Sequence, residues 1–372
     1  VIGGTAFTNA GGNFRYASAT VTIEQGSVTA LGGQLSVAGT YNTKSGAFNQ
    51  RVSGQNIDSA LVTDNSVPGR MDFSADLSGT SADNMTISGS FDMKSGKIST
   101  INFSALNGDF TKKGSTVDLR GVSMVTSGQT LTVQGQVILE GARVALNLNV
   151  SSPGLDLAVI EENTPLKAPV AFQAAVQGTP EKFSASGSFQ IPSGTLGRVK
   201  FFSGRGQFYY ADDVLTLEGV SASALGGTIN TSGTIARGSA YTQKVSGQNV
   251  DAGFFTDGDI AGRANFTARI NGQGDWDNAS ADGSFSIKNG TVQGLPFSSM
   301  TGDFKKRGLQ NNFSNINLQL AGGLVKGTAY TDGDYVRLKL TAGDSPLAQL
   351  LGPSLSTLIP QQELTIKFRG PK

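Results

Sequence analysis

Few residues in this chain are able to do chemistry. There is no histidine and no cysteine among its 372 residues. That removes the commonest general base, the triads built on it, thiol nucleophiles, disulfides and His/Cys zinc sites. Catalysis would have to rest on carboxylates or lysines. The densest carboxylate group is Asp275, Asp277 and Asp282 around Trp276. Alternating aspartates suggest a calcium loop, but the ligand spacing of such a loop is incomplete. The corresponding segments elsewhere in the chain, 80–83 and 179–182, keep only a single acid each, Asp83 and Glu181, so a solvated hairpin turn is the stronger reading. The basic runs Lys112-Lys113 and Lys305-Lys306-Arg307 each follow a Gly-Asp-Phe sequence and precede a glycine. Lysines there could meet anionic lipid headgroups, or could cap the turn and keep it soluble; Tyr209-Tyr210 at the corresponding place favours capping. Gly204-Arg205-Gly206 and Gly272-Gln273-Gly274 are not phosphate loops, because neither opens a helix followed by Lys and Ser/Thr. Bends or bulges in strands explain them better. The expectation is no enzyme, no metal site and no cofactor.

Composition says which elements must carry whatever function remains. Fifty glycines and 15% charged residues describe a chain of short strands and many turns. Apolar residues make up 38% and include 21 phenylalanines, enough to bury a continuous layer and too many for a disordered segment. The formal charge of +1 gives no basic stripe for nucleic acid. Cysteine avoidance suits an oxidising compartment. No stretch approaches the length of an apolar transmembrane helix and no signal peptide opens the chain. An interior piece of a longer protein is expected, with any membrane anchor outside it.

The strongest signal is self-similarity. Gly89-Ser90-Phe91 recurs as Gly187-Ser188-Phe189 and Gly283-Ser284-Phe285, at spacings of 98 and 96 residues. The same period of about 97 residues links Phe7 to Phe103, Phe201 and Phe297, and Phe14 to Phe110, Phe208 and Phe304. Each of the latter set has a glycine two residues before it, at Gly12, Gly108, Gly206 and Gly302. Leu31-Gly32-Gly33 returns as Leu225-Gly226-Gly227, and the octapeptide from Arg51 to Asp58 returns from Lys244 to Asp251. Within each copy apolar and polar residues alternate, as at Val117/Leu119 against Asp118/Arg120 and Leu146/Leu148/Val150 against Asn147/Asn149. Such strands have one greasy and one wet face. The greasy face must be covered by a second sheet, by curling, or by a ligand. After the Ile-Asp, Leu-Asp and Val-Asp pairs ending at Asp58, Asp156 and Asp251 the alternation breaks, predicting a short helix or helical turn. A fourth such segment runs from Asp344 through Ser345-Pro346 and the apolar face Leu347, Leu350, Leu351 to Gly352-Pro353. Expected divisions are a partial β repeat over 1–58, full β repeats over 59–156, 157–251 and 252–343, and a connecting helix with the start of another repeat over 344–372.

These residues resemble the AsmA-like proteins, including TamB, of diderm bacterial envelopes. The closest stretch runs from Gly154-Leu155-Asp156-Leu157-Ala158-Val159-Ile160 through Pro165, Phe172 and Gly178 to Gly187-Ser188-Phe189 and Gly194. The resemblance implies an all-β, elongated, curled sheet of taco-like section. It would be an array of repeats about 97 residues long, with a hydrophobic groove and short connecting helices. It implies a periplasmic bridge-like segment that binds and conducts phospholipids between inner and outer membranes, anchored in the inner membrane by a segment outside this chain. An outer-membrane barrel of BamA type, similar to TamA, would be a partner through regions outside this chain.

Aromatics at a fixed period, taken alone, are ordinary core. The resemblance turns them toward a groove lining: Phe91, Phe103, Phe110, Leu119, Phe189, Phe201, Phe208, Leu217, Phe285, Phe297 and Phe304. The expected ligands are phospholipid acyl chains, at roughly 0.8 kcal/mol per buried methylene. The rival expectations are a periplasmic scaffold or chaperone-like groove for outer-membrane protein assembly, and a secreted β-solenoid adhesin. Solenoid coils repeat every few tens of residues, which fits the long period less well.

Overall fold

The computed structural model describes residues 7–63, 67–81, 83–98, 101–141, 143–159, 164–256, 258, 260–274, 278–292, 294–321, 323–332, 335–342 and 363–369. The chain is nearly all antiparallel β and divides between Phe189 and Gln190 into two units. The first contains β1 (Thr8–Ala17), β2 (Thr20–Ala30), β3 (Gly33–Asn42), β4 (Phe48–Asp58), β5 (Gly69–Gly79), β6 (Thr86–Ile98), β7 (Ile101–Phe103), β8 (Ala105–Lys113), β9 (Thr116–Thr126), β10 (Gln129–Glu140), β11 (Arg143–Asp156), β12 (Leu166–Lys167) and β13 (Pro169–Gly178). The division falls inside β14 (Phe183–Leu196). The second contains β15 (Val199–Ala211), β16 (Val214–Ala224), β17 (Gly227–Ala236), β18 (Ala240–Asp251), β19 (Ile260–Gln273), β20 (Ser280–Val292), β21 (Leu295–Arg307), β22 (Gln310–Leu320), β23 (Gly323–Asp332), β24 (Tyr335–Ala342) and β25 (Glu363–Arg369).

Each unit is a meander in which sequence neighbours pair. In the first, β1 to β6 pair in order, β7 and β8 both pair with β6, and β8 to β11 continue to β13. In the second, β15 to β25 pair in order. Tight hairpins make this possible. Leu31-Gly32 and Leu225-Gly226 both have two successive positive φ angles, 51° and 72°, and 55° and 73°. That is the mirror-image turn whose twist matches the flanking strands, so the repeated Leu-Gly-Gly is a hairpin tip.

Once per repeat, the strand after the Gly-x-Phe strand carries a bulge. Register slips between Ile23 and Gly26, Leu119 and Val122, Leu217 and Val220, and Phe313 and Ile316. Gly121, Gly219 and Asn315 take the left-handed φ there, at 57°, 56° and 53°. The repeated octapeptide holds a second bulge. Its Gln55-Asn56 and Gln248-Asn249 are the extra pair, with Asn56 at φ 54° and Asn249 at 55°. Bulges sharpen twist and bend a strand, so each repeat carries its own bends.

The short connecting helices are single 3-10 turns, Ser59–Leu61, Leu157–Val159 and Ala252–Phe255. Each begins directly after the expected aspartate. Asp58, Asp156 and Asp251 accept from the backbone N–H of Ala60, Ala158 and Gly253 at 3.1, 3.0 and 2.9 Å, the N-cap arrangement. The apolar residue before each aspartate is an anchor: Ile57, Leu155 and Val250 are 0, 1 and 0% exposed. The expected helix from Asp344 lies outside the described residues.

Candidate functional site

Residues paired across an antiparallel ladder point to the same face, so the registers place every side chain. One transverse row of the first unit reads Val52, Ala75, Gly89, Phe110, Leu119, Gly135, Leu148 and Val176. The interleaved wet row reads Asp72, Asp92 and Asn107, followed by Ser74, Ser90, Asp109 and Arg120. Phe110–Leu119–Gly135 has counterparts in Phe14–Ile23–Gly39, Phe208–Leu217–Gly233 and Phe304–Phe313–Ala329. The apolar face is thus one surface within each unit, repeated in register.

The motifs found by self-similarity are the two halves of one cross-strand clasp. Gly89-Ser90-Phe91 runs antiparallel to Gly108-Asp109-Phe110, so Gly89 faces Phe110 and Phe91 faces Gly108. Gly283-Ser284-Phe285 meets Gly302-Asp303-Phe304 in the same way. In this second clasp each ring lies over a glycine. A Cβ at Gly302 would sit 2.8 Å from the Phe285 ring, and one at Gly283 would sit 2.6 Å from Phe304. Aromatic cover of a strand glycine restores the contact that the missing side chain forfeits.

The expected lining residues separate into two classes. Phe103, Phe201 and Phe297 are 4, 8 and 3% exposed and belong to the packed floor. Phe103 covers Gly96 and joins Met93, Leu106 and Val122, while Phe297 covers Gly290 and joins Met300, Ile287 and Leu318. Phe201 lies against Gly204 and opposite Ala224. Phe91, Phe110, Leu119, Phe189, Phe208, Leu217, Phe285 and Phe304 are half-buried and keep surface free. Phe91 and Phe110 are 6.5 Å apart between ring centres. Sequence reasoning missed Phe73, Phe266 and Phe313. Phe73 and Phe266 pair directly with Phe91 and Phe285, and Phe313 stands 6.3 Å from Phe285. The parallel sequences Gly69-Arg70-Met71-Asp72-Phe73 and Gly262-Arg263-Ala264-Asn265-Phe266 carried the signal for the first two.

The charges have definite places. Arg51 and Asp76, opposite each other on the wet face, make two hydrogen bonds of 2.8 and 2.9 Å. Those bonds from the guanidinium hold the Asp76 carboxyl below its usual range. Arg70 and Arg263 are structural clamps. Arg70 donates to the carbonyls of Gly32 and Asn56 at 3.0 and 3.1 Å, and Arg263 to those of Gly226 and Asn249 at 3.2 and 3.4 Å. Each clamp ties the Leu-Gly-Gly hairpin to the Gln-Asn bulge beside it. Lys112 and Lys306 share the apolar face at its rim, and their ammonium groups donate back to Gly114 and Gly308 in the hairpin turns. That is the capping geometry. Asp275, Trp276 and Asp277 lie outside the described residues, whereas Asp282 pairs with Arg307 at 3.1 and 3.2 Å. Among the described residues no three carboxylates converge to hold a metal ion.

Chemically this surface can do one thing well: take apolar chains against half-exposed rings while its wet side faces solvent. Comparison with family models, curated proteins and solved structures finds no match for the chain.

Proposed function

We propose that the apolar face of each unit binds phospholipid acyl chains, and that the chain is a lipid-conducting segment of a periplasmic bridge-like protein working between two membranes. The observation that carries this reading is the half-exposure of Phe91, Phe110, Leu119, Phe208, Leu217, Phe285 and Phe304 on one face, where the rows through Phe91, Phe110, Phe285 and Phe304 hold no charge and the row of Phe208 meets one only at Lys306 near its far end. Rings left half open beside a packed aromatic floor offer dispersion contacts and dry surface to methylenes at little cost in ordering. Binding of this kind selects weakly among chains, which suits transfer. An inner-membrane anchor and an outer-membrane barrel partner would belong to regions outside this chain.

The test uses two adjacent residues of β15 that point to opposite faces. A photo-crosslinking amino acid at Phe208 should capture phospholipid when the chain meets a lipid extract, and one at Gln207 should not. Equal capture at both positions, or capture of protein alone at Phe208, would contradict the reading and favour the scaffold.

A further inference from the structure

The wet face of the second unit carries a hollow that the lipid reading does not use. It spans β16 to β20 and has a volume of about 510 Å³. Its walls are wet-face side chains, Asn230, Lys244, Ser246, Thr267, Arg269 and Asp282, while intervening residues such as Val245 and Ala268 contribute floor. Lys244 and Arg269 stand directly opposite each other on β18 and β19. Like charges in directly opposed positions destabilise a sheet. Among the described residues neither side chain has a hydrogen bond or an ion pair.

The first unit supplies the internal comparison. Lys244 opens the second copy of the repeated octapeptide, and Arg51 opens the first. The residue opposite Arg51 is Asp76, which neutralises it, whereas the residue opposite Lys244 is Arg269. The fold therefore does not require two cations at this place. Asp282, across from Arg269, is engaged by Arg307 and lies opposite Lys305, so its charge is matched on the far side of the hollow.

We propose that this hollow binds a phosphate monoester. Two unpaired cations match a dianion, the arginine fork suits two phosphate oxygens, and the hydroxyls of Ser246 and Thr267 with the Asn230 amide suit the remaining oxygens or an attached polyol. A free sugar phosphate and a phosphomonoester lipid headgroup share this chemistry.

Titration of the full chain at low salt distinguishes the sources, using glucose 1-phosphate, glucose, vesicles of phosphatidic acid in phosphatidylcholine, and pure phosphatidylcholine vesicles. Saturable binding of glucose 1-phosphate but not glucose, weakening with added salt, is the expected result. Arg269→Asp, which installs the ion-pair pattern of the first unit, should weaken it at least about tenfold, and Lys244→Gln should weaken it with an unchanged circular dichroism spectrum. Binding to phosphatidic acid vesicles alone, lost in Arg269→Asp, supports the site with a headgroup as its source. Binding of no phosphate probe, or undiminished binding by both variants, overturns it.

Discussion

At the scale of single residues, periodic aromatics turn out to do two jobs that sequence treats as one. Phe297 is buried over Gly290, and a Cβ there would meet its ring at 2.5 Å. Phe297→Ala should cost about 3–5 kcal/mol of unfolding free energy, and Phe208→Ala, at a half-open ring, distinctly less; chemical denaturation of both variants measures the difference. A charge at Phe201 would disrupt the floor, so Phe208 is the better place to challenge the lining. The glycine partners are as constrained as the rings. A Cβ at Gly89 would lie 2.3 Å from the backbone oxygen of Ser74, so Gly89→Ala should destabilise by roughly 1–3 kcal/mol. Asp76 provides a titration test. Its pKa is lowered chiefly by the Arg51 hydrogen bond, so the pair's contribution is present above the ordinary carboxylate pKa and is lost as pH falls through the lower folded value. An NMR titration should find Asp76 below the ordinary range and find it moved upward in Arg51→Gln.

At the scale of elements, the alternation of Val117 to Arg120 and Leu146 to Val150 made strands and faces legible, and the loss of alternation after Asp58, Asp156 and Asp251 made the helical turns legible. The clasp was not legible, because it joins Gly-Ser-Phe to a Gly-Asp-Phe on the next strand and depends on register. The bulges were hidden for the same reason: Gln-Asn inside an octapeptide reads as polar strand until a partner shows it to be an extra pair. Buried and half-open phenylalanines also look alike in sequence, since exposure is set by the neighbouring strand. The Arg263 clamp belongs to this scale. Arg263→Ala removes the donor to two carbonyls and should cost about 0.5–1.5 kcal/mol. Hydrogen exchange should quicken at the amide of Asp251, which bonds the Leu225 carbonyl at 2.7 Å, and stay unchanged at that of Tyr330.

At the scale of the molecule, the two units repeat one plan, antiparallel meanders with a greasy and a wet face, and the period of about 97 residues was the part of that plan most open to reading from sequence. The division between Phe189 and Gln190 was not readable, because it cuts through a strand whose sequence continues the alternation. The central claim is that the greasy face holds acyl chains, and it is tested most directly by weighing what the protein carries. Native mass spectrometry of the full chain, purified without detergent and then incubated with phospholipid vesicles, should show bound phospholipid of mixed acyl composition. The paired variant Phe110→Glu/Phe208→Glu, which puts a charge on the apolar face of each unit, should show markedly less while keeping its β spectrum. A wild-type chain that remains free of lipid, or a doubly charged variant that carries as much as the wild type, would contradict the account.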